Sequence, residues 1–239
     1  MVTPPKDQGT PSITLDPRGI AELAAELQRR AAAQHRRVVL AIAGVPGSGK
    51  STLAKALAIH LNRAAQAPAA DGYAVVLGLD AFHLSNDRLE SLGLTERKGS
   101  PQSFDAQGYL KLLSRCRDPR HTFDLPVYDR KLHEPVYSGK AEDRVGPGTR
   151  VILTEGNYLL LDAIPWSAID ELADLRLWLE TPAEKARAWL IRRHISVGRS
   201  LEQAVRRVEE NDAMNADLVL EKSRHADKLA RWPDSSFAG

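Results

Sequence analysis

Val38, Val39, Leu40, Ala41, Ile42 and Ala43 form an unbroken apolar run with β-branched residues, the pattern of a strand buried on both faces. Runs of the same kind return at 73–79, 151–154 and 175–179. Between them, apolar positions recur at helical spacing over 51–63, 106–117 and 163–172. Ahead of the first run, Ile20, Leu23, Ala24 and Leu27 carry a helix to about Gln34. Asp16 and Pro17 mark its start, one as a cap and the other with a fixed φ suited to the first turn. Two later starts, Thr181-Pro182-Ala183-Glu184 and Ser200-Leu201-Glu202-Gln203, fit the capping box. Strands alternating with helices predict an α/β fold, a mostly parallel sheet of about five strands with helices on both faces. The three prolines among residues 1–14 interrupt any period, so 1–15 is expected to be a flexible arm and 16–239 a single domain.

Composition narrows the class without naming it. Of 239 residues, 43% are hydrophobic and 27% charged, ordinary for a globular chain. Lys and Arg number 33 against 31 Asp and Glu, a balance that gives no general reason to expect nucleic acid or a membrane surface as partner. The single cysteine, Cys116, excludes an intrachain disulfide and favours a cytoplasmic location. No apolar run approaches the roughly 20 residues of a membrane-spanning helix, and no secretory leader is visible in the first residues.

The chemistry begins directly after the first strand. Gly44-Val45-Pro46-Gly47-Ser48-Gly49-Lys50-Ser51 fits G-x4-G-K-[ST] between a strand and a helix, which predicts a P-loop NTPase fold. Glycines let the backbone wrap an oxyanion with its amides inward, and the helix from Thr52 onward adds its positive end. Lys50 is placed to reach the β- and γ-phosphates and Ser51 to bind Mg²⁺, so residues 44–52 are the expected nucleotide site and ATP with Mg²⁺ the expected cofactors.

In an open parallel sheet, chemistry gathers beyond the carboxyl ends of the strands. Asp80 stands there after the second run and Glu155 after the third. One acid suits Mg²⁺ and the other suits a base that takes a hydroxyl proton. The Asp-Glu strand end common in NTPase motors is absent.

Four segments come after the loop in order: Asp80-Ala81-Phe82-His83, Arg97-Lys98-Gly99-Ser100-Pro101-Gln102-Ser103-Phe104-Asp105, Pro126-Val127-Tyr128-Asp129-Arg130 and Glu155-Gly156-Asn157-Tyr158. Over residues 38 to 220 this series resembles the phosphoribulokinase / uridine kinase / bacterial pantothenate kinase superfamily. The stretch from Arg97 to Asp105 is most similar to the pantothenate kinase branch. The whole chain is similar to the shorter fructose transport system kinase and nucleoside kinase-like proteins. The resemblance implies that Asp80 activates the acceptor hydroxyl and Glu155 stands beside Mg²⁺, with the roles exchangeable or shared, Asp80 then also contacting the metal. It implies an acceptor pocket shaped by Tyr128, Asp129 and Arg130, with His83, Arg97, Lys98 and Asn157 near it. Relatives of this kind commonly dimerise. The chain is shorter than pantothenate kinase and differs after Arg130, so pantothenate is one candidate acceptor among several.

Residues 82–137 are rich in His, Arg, Lys, Asp and Tyr, the mix of donors and acceptors that a polyhydroxylated or anionic small molecule needs. Pro126 and Pro135 flank short β-like pieces, which predicts a hairpin over the site. Arg187, Arg192, Arg193, His194, Arg199, Arg206 and Arg207 form a basic segment with Gly198 as a turn. A helical lid over about 182–212 is expected there, and by the resemblance Arg192 and Arg193 are chosen as the cations that stabilise the transferred phosphoryl group. Successive helical residues are about 100° apart, so the two do not point the same way. With one aromatic, Trp189, the segment lacks the repeated interleaving of aromatics and cations of a single-strand nucleic-acid site. The leading expectation is an ATP-dependent kinase for a hydroxyl of a sugar, nucleoside or pantothenate-like alcohol. The alternative is a regulatory P-loop ATPase with no small-molecule acceptor.

Overall fold

The computed structural model describes residues 9–68, 71–129 and 131–233. In chain order, the elements begin with β1 (Ser12–Thr14), α1 (Pro17–Ala32), β2 (Val38–Ala43), α2 (Lys50–Ala64) and β3 (Ala74–Gly78). The middle of the chain carries α3 (Asn86–Ser91), α4 (Ala106–Arg117), β4 (Phe123–Asp124), β5 (Pro126–Asp129), β6 (Glu134–Tyr137) and β7 (Arg144–Val145). After β8 (Val151–Glu155) come α5 (Ile169–Leu172), β9 (Leu175–Glu180), α6 (Ala183–Ser196), α7 (Leu201–Arg207), α8 (Ala213–Lys222) and β10 (Lys228–Arg231).

Six strands form one sheet in the order β1-β10-β9-β2-β8-β3, and every pair in it is parallel. The central strand β2 shows why an unbroken apolar run was required. Val39, Ala41 and Ala43 join the core under α4, while Val38, Leu40 and Ile42 join the core under α1 and α2. Each face of the strand is sealed by a different layer, so no position on it is left for a polar side chain. Helix α1 starts as the sequence predicts, with the Asp16 carboxylate accepting from Gly19 N at 2.7 Å.

Three expectations need correction. The first concerns Ser12–Thr14, placed in the flexible arm: it pairs with β10 at the sheet edge and is the sixth strand of the expected parallel sheet. Leu15 N donates to Arg231 O and Leu229 N to Pro11 O, both at 2.8 Å, and Ile13 packs on the α1–α2 core. Backbone pairing with a strand more than two hundred residues away is invisible to a local pattern. The second correction concerns Thr181, whose hydroxyl does not cap α6. It donates to Ser48 O at 3.1 Å, and α6 starts without a side-chain cap. The Ser200–Gln203 capping box does form. Third, the pattern over 163–172 resolves into a short 3-10 turn, Trp166–Ala168, followed by the four-residue α5.

One buried side chain organises the bottom of the sheet. Arg37 is fully buried, immediately before β2, and its guanidinium donates to the main-chain oxygens of Thr149, Cys116, Asp118, Pro119, His121 and Gly146 at 2.7–3.2 Å. It joins the end of α4 to the loop before β8. Replacing it strands buried carbonyls, each costing about 1–3 kcal/mol. Arg37→Met is therefore expected to lower unfolding stability by about 3 kcal/mol or more. Chemical denaturation checks this, and a loss under about 1 kcal/mol would contradict the role.

Candidate active site

The phosphate loop lies between β2 and α2 because its glycines adopt conformations other residues resist. Gly47 has φ 76° and Gly49 φ 91°. A Cβ on Gly47 would sit 2.6 Å from Ala186 O and 2.7 Å from Leu190 Cγ, so α6 rests directly on the loop. Within the loop, the Lys50 ammonium donates to Gly44 O (3.1 Å), Val45 O (2.8 Å) and Ser48 Oγ (3.3 Å). Pro46, Gly47, Gly49, Lys50, Ser51 and Thr52 line a cavity of about 500 Å³.

Strand register brings the acids to the loop. In β8, Glu155 stands opposite Ile42 of β2 on one side and opposite Gly78 of β3 on the other. Ile42 is two residues before Gly44, and Gly78 two residues before Asp80. Loop, Glu155 and Asp80 thus leave three neighbouring strand ends in one row. Glu155 is buried and accepts from Ser51 Oγ at 2.9 Å. Asp80 sits on a 3-10 turn, Leu79–Phe82, and lines the same cavity. Gly156 permits the tight exit from β8, since a Cβ there would meet Leu79 Cβ at 2.5 Å.

The far wall is the predicted hairpin, β5 paired antiparallel with β6. His83 Nδ1 donates to Asp80 O at 2.8 Å, and its ring packs, tilted, between Phe104 (centroids 4.1 Å apart) and Tyr128 (4.9 Å). Lys98 Nζ donates to His133 O at 2.6 Å and lies 5.9 Å from the centre of the Tyr128 ring. His83, Lys98, Tyr128 and Asn157 all face the cavity. Asp129 does not; its carboxylate closes the hairpin turn by accepting from Lys131 N and Leu132 N. Arg97 lies outside the main cavity, against a neighbouring cleft. Arg130 falls outside the described residues.

Of the two lid arginines, Arg193 lines the cavity and Arg192 does not, being exposed one helical step, about 100°, away on α6. Arg187 pairs with Glu209 on the lid surface at 2.7 Å. The sequence reading missed Trp189, His194, Arg199, Arg207, Asp212 and Trp232, which also line the cavity. Arg199 and Arg207 belonged to the basic segment, but its charge pattern alone could not rank them. Trp189 and Trp232 gave no local signal, since an aromatic at helical spacing or after a strand is ordinary core material.

Among the described residues no group of three His, Cys, Asp or Glu side chains forms a metal cage, and no helix is long and apolar enough to cross a membrane. Ser51 and Glu155 nevertheless supply two hard oxygen donors beside the loop. That suits Mg²⁺, which keeps water and substrate phosphates in most of its shell.

A family model described as phosphoribulokinase / uridine kinase family matches residues 39–224. An uncharacterized Escherichia coli protein, YggC, is 31% identical over 83% of this chain and 79% of its own length. A Schizosaccharomyces pombe protein provisionally named as a uridine kinase is 32% identical over 77% of this chain and 78% of its own. Among solved structures, a protein from Silicibacter provisionally named as a fructose transport system kinase superposes with a TM-score of 0.76. It is 34% identical, covering 90% of this chain and 98% of its own.

Burial lowers the Lys50 ammonium from its ordinary 10.5 to about 8, with Glu155 and Asp80 opposing the shift and Arg193 adding to it. Between pH 8 and 10.5 the unfolded chain holds a proton that the folded chain has released, so this group adds stability as pH rises across that window. An anionic phosphate beside Lys50 restores its proton. Nucleotide binding is therefore expected to take up a larger fraction of a proton at pH 8.5 than at pH 7 through Lys50. Calorimetry in buffers of different ionisation enthalpy measures this, and Lys50→Arg should abolish it. Equal heats in all buffers at pH 8.5 would contradict the assignment.

Proposed function

The chain belongs to the phosphoribulokinase / uridine kinase family, and we propose that it transfers the γ-phosphate of ATP to a hydroxyl of a small metabolite. It is a small-molecule kinase of the P-loop class. The observation that carries the finer reading is the row formed by Lys50, Ser51, Glu155 and Asp80 at three strand ends that open into one cavity.

In this reading the loop amides and Lys50 hold the β- and γ-phosphates. Ser51 and Glu155 hold Mg²⁺, which when bound neutralises charge on those phosphates. Asp80 accepts the proton of the acceptor hydroxyl as its oxygen attacks, and its turn is braced by the His83 hydrogen bond. Arg193 is the cation set against the transferring group, close enough to Lys50 to disfavour its charge. His83, Lys98, Tyr128 and Asn157 orient the acceptor. The candidate acceptors are sugars, nucleosides and pantothenate-like alcohols.

Asp80→Asn keeps the shape of the side chain and removes its basicity. It is expected to retain nucleotide affinity while cutting acceptor-stimulated ADP formation by at least about 100-fold. Near-normal turnover in that variant would rule Asp80 out as the base. Arg193→Gln is expected to lower kcat by about 100-fold and Arg192→Gln by no more than about 2-fold. Equal losses at the two positions would contradict the choice of Arg193.

A further inference from the structure

Two arginines of the lid are closed by acids. Arg187 pairs with Glu209 and Arg206 with Glu202. Arg97, Arg199 and Arg207 are different. Among the described residues none of the three has a carboxylate within ion-pair distance, yet all three line one cleft of about 440 Å³, and Arg199 and Arg207 also line the main cavity.

Neutral groups position these guanidiniums. Arg207 donates to Glu96 O at 2.9 Å and to Lys98 O at 2.6 Å. Arg97 Nη1 meets Met214 Sδ at 3.5 Å. Arg199 Nη1 lies 2.6 Å from His194 Nδ1. An arginine can only donate, so Nδ1 accepts and the Nε2 proton of His194 goes to Asp212 Oδ2 at 2.9 Å. Asp212 is thus engaged through the imidazole, and the carboxylates of Glu96 and Glu210 line the cleft without closing on any of the three. Burial and the fields of Arg199 and Arg97 lower the proton affinity of Arg207, with Asp212 and Glu96 opposing. Like charges lining one cleft with no carboxylate in contact repel one another, and an anion seated among them would relieve that repulsion.

The cluster sits at the acceptor end. Arg207 donates to the main chain at Glu96 and Lys98, the Lys98 ammonium lies over Tyr128, and the Tyr128 ring packs, tilted, against His83 beside Asp80. The lid cation set against Lys50 is Arg193, not one of these. We propose that Arg97, Arg199 and Arg207 form an oxyanion subsite, so that the phosphoryl acceptor is an alcohol that also carries a carboxylate or a phosphate ester. This rests on the kinase reading. An uncharged sugar or nucleoside would leave the three guanidiniums with no anion in direct contact.

Two arms test it on the full chain. The first compares acceptors in matched sets that differ only by the anion: glycerol, glycerate and glycerol 3-phosphate; fructose and fructose 6-phosphate; uridine and uridine 5′-phosphate. Turnover is expected only with charged members, and carboxylate against phosphate separates the two sources. Arg97 is exposed, so Arg97→Gln should fold normally and raise the acceptor KM by about 10-fold with kcat kept within about 2-fold. Arg187→Gln on the lid surface should change neither. A neutral member turned over as well as its charged partner, or an unchanged KM in Arg97→Gln, overturns the proposal. The second arm needs no turnover. With ADP and Mg²⁺ saturating the loop, inorganic phosphate should raise Tm in the native chain and much less in Arg97→Gln and Arg207→Gln. Equal shifts in all three, or none in the native chain, overturn the subsite. Absence of turnover with every acceptor, together with a phosphate shift lost in the variants, overturns the kinase reading and supports the subsite.

Discussion

The site depends on the in-register parallel pairing of β2, β8 and β3. Ile42, Glu155 and Gly78 stand side by side in three neighbouring strands, so the chain leaves the sheet at one level from all three. The phosphate loop emerges after β2 and Asp80 after β3, while Glu155 itself ends β8. A shift of one residue in the β2–β8 pairing would turn Glu155 to the opposite face and break its 2.9 Å contact with Ser51, and a shift of β3 would move Asp80 out of line with both. The apolar run Val38–Ala43, sealed on both faces, is what holds that register. Core packing and catalytic geometry are thus one constraint seen from two ends of the same strand.

A second layer of contacts makes loop and lid interdependent. Helix α6 lies against Gly47, Thr181 donates to Ser48 O, and a Cβ on Gly49 would come within 2.9 Å of Trp232 Nε1. The loop is therefore gripped from β9, from α6 and from the chain after β10. The glycines serve two needs together: φ values that favour glycine, and the space for those three neighbours.

Much of this was legible in the sequence because the signals were local. The loop motif, the strand ending in Glu155, the Asp16 cap and the Pro126–Tyr137 hairpin each declare themselves within a few residues. Other features depend on distant partners and were not legible. Ser12–Thr14 becomes a strand only because β10 offers an edge, and Thr181 resembles a cap until Ser48 O competes for its hydroxyl. Arg192 and Arg193 differ by one helical step, which shows that they diverge but not which one faces the cavity. Arg37 carried no motif, since its six partners are main-chain oxygens. The three arginines of the proposed anion subsite lay within charged stretches, and no local pattern told which of the nearby acids would contact them: Glu202 and Glu209 pair with other arginines, while Glu96 and Glu210 line the cleft without touching these three.

Direct transfer requires that one cavity bring ATP and a small alcohol together. It is tested by supplying the chain with ATP carrying a labelled γ-phosphate, Mg²⁺ and one candidate alcohol at a time, and following the label by mass spectrometry. For one class of alcohol the label should appear in a phosphate ester of the added compound, in step with ADP. Label recovered only as inorganic phosphate, at the same rate whatever alcohol is added, would contradict direct transfer.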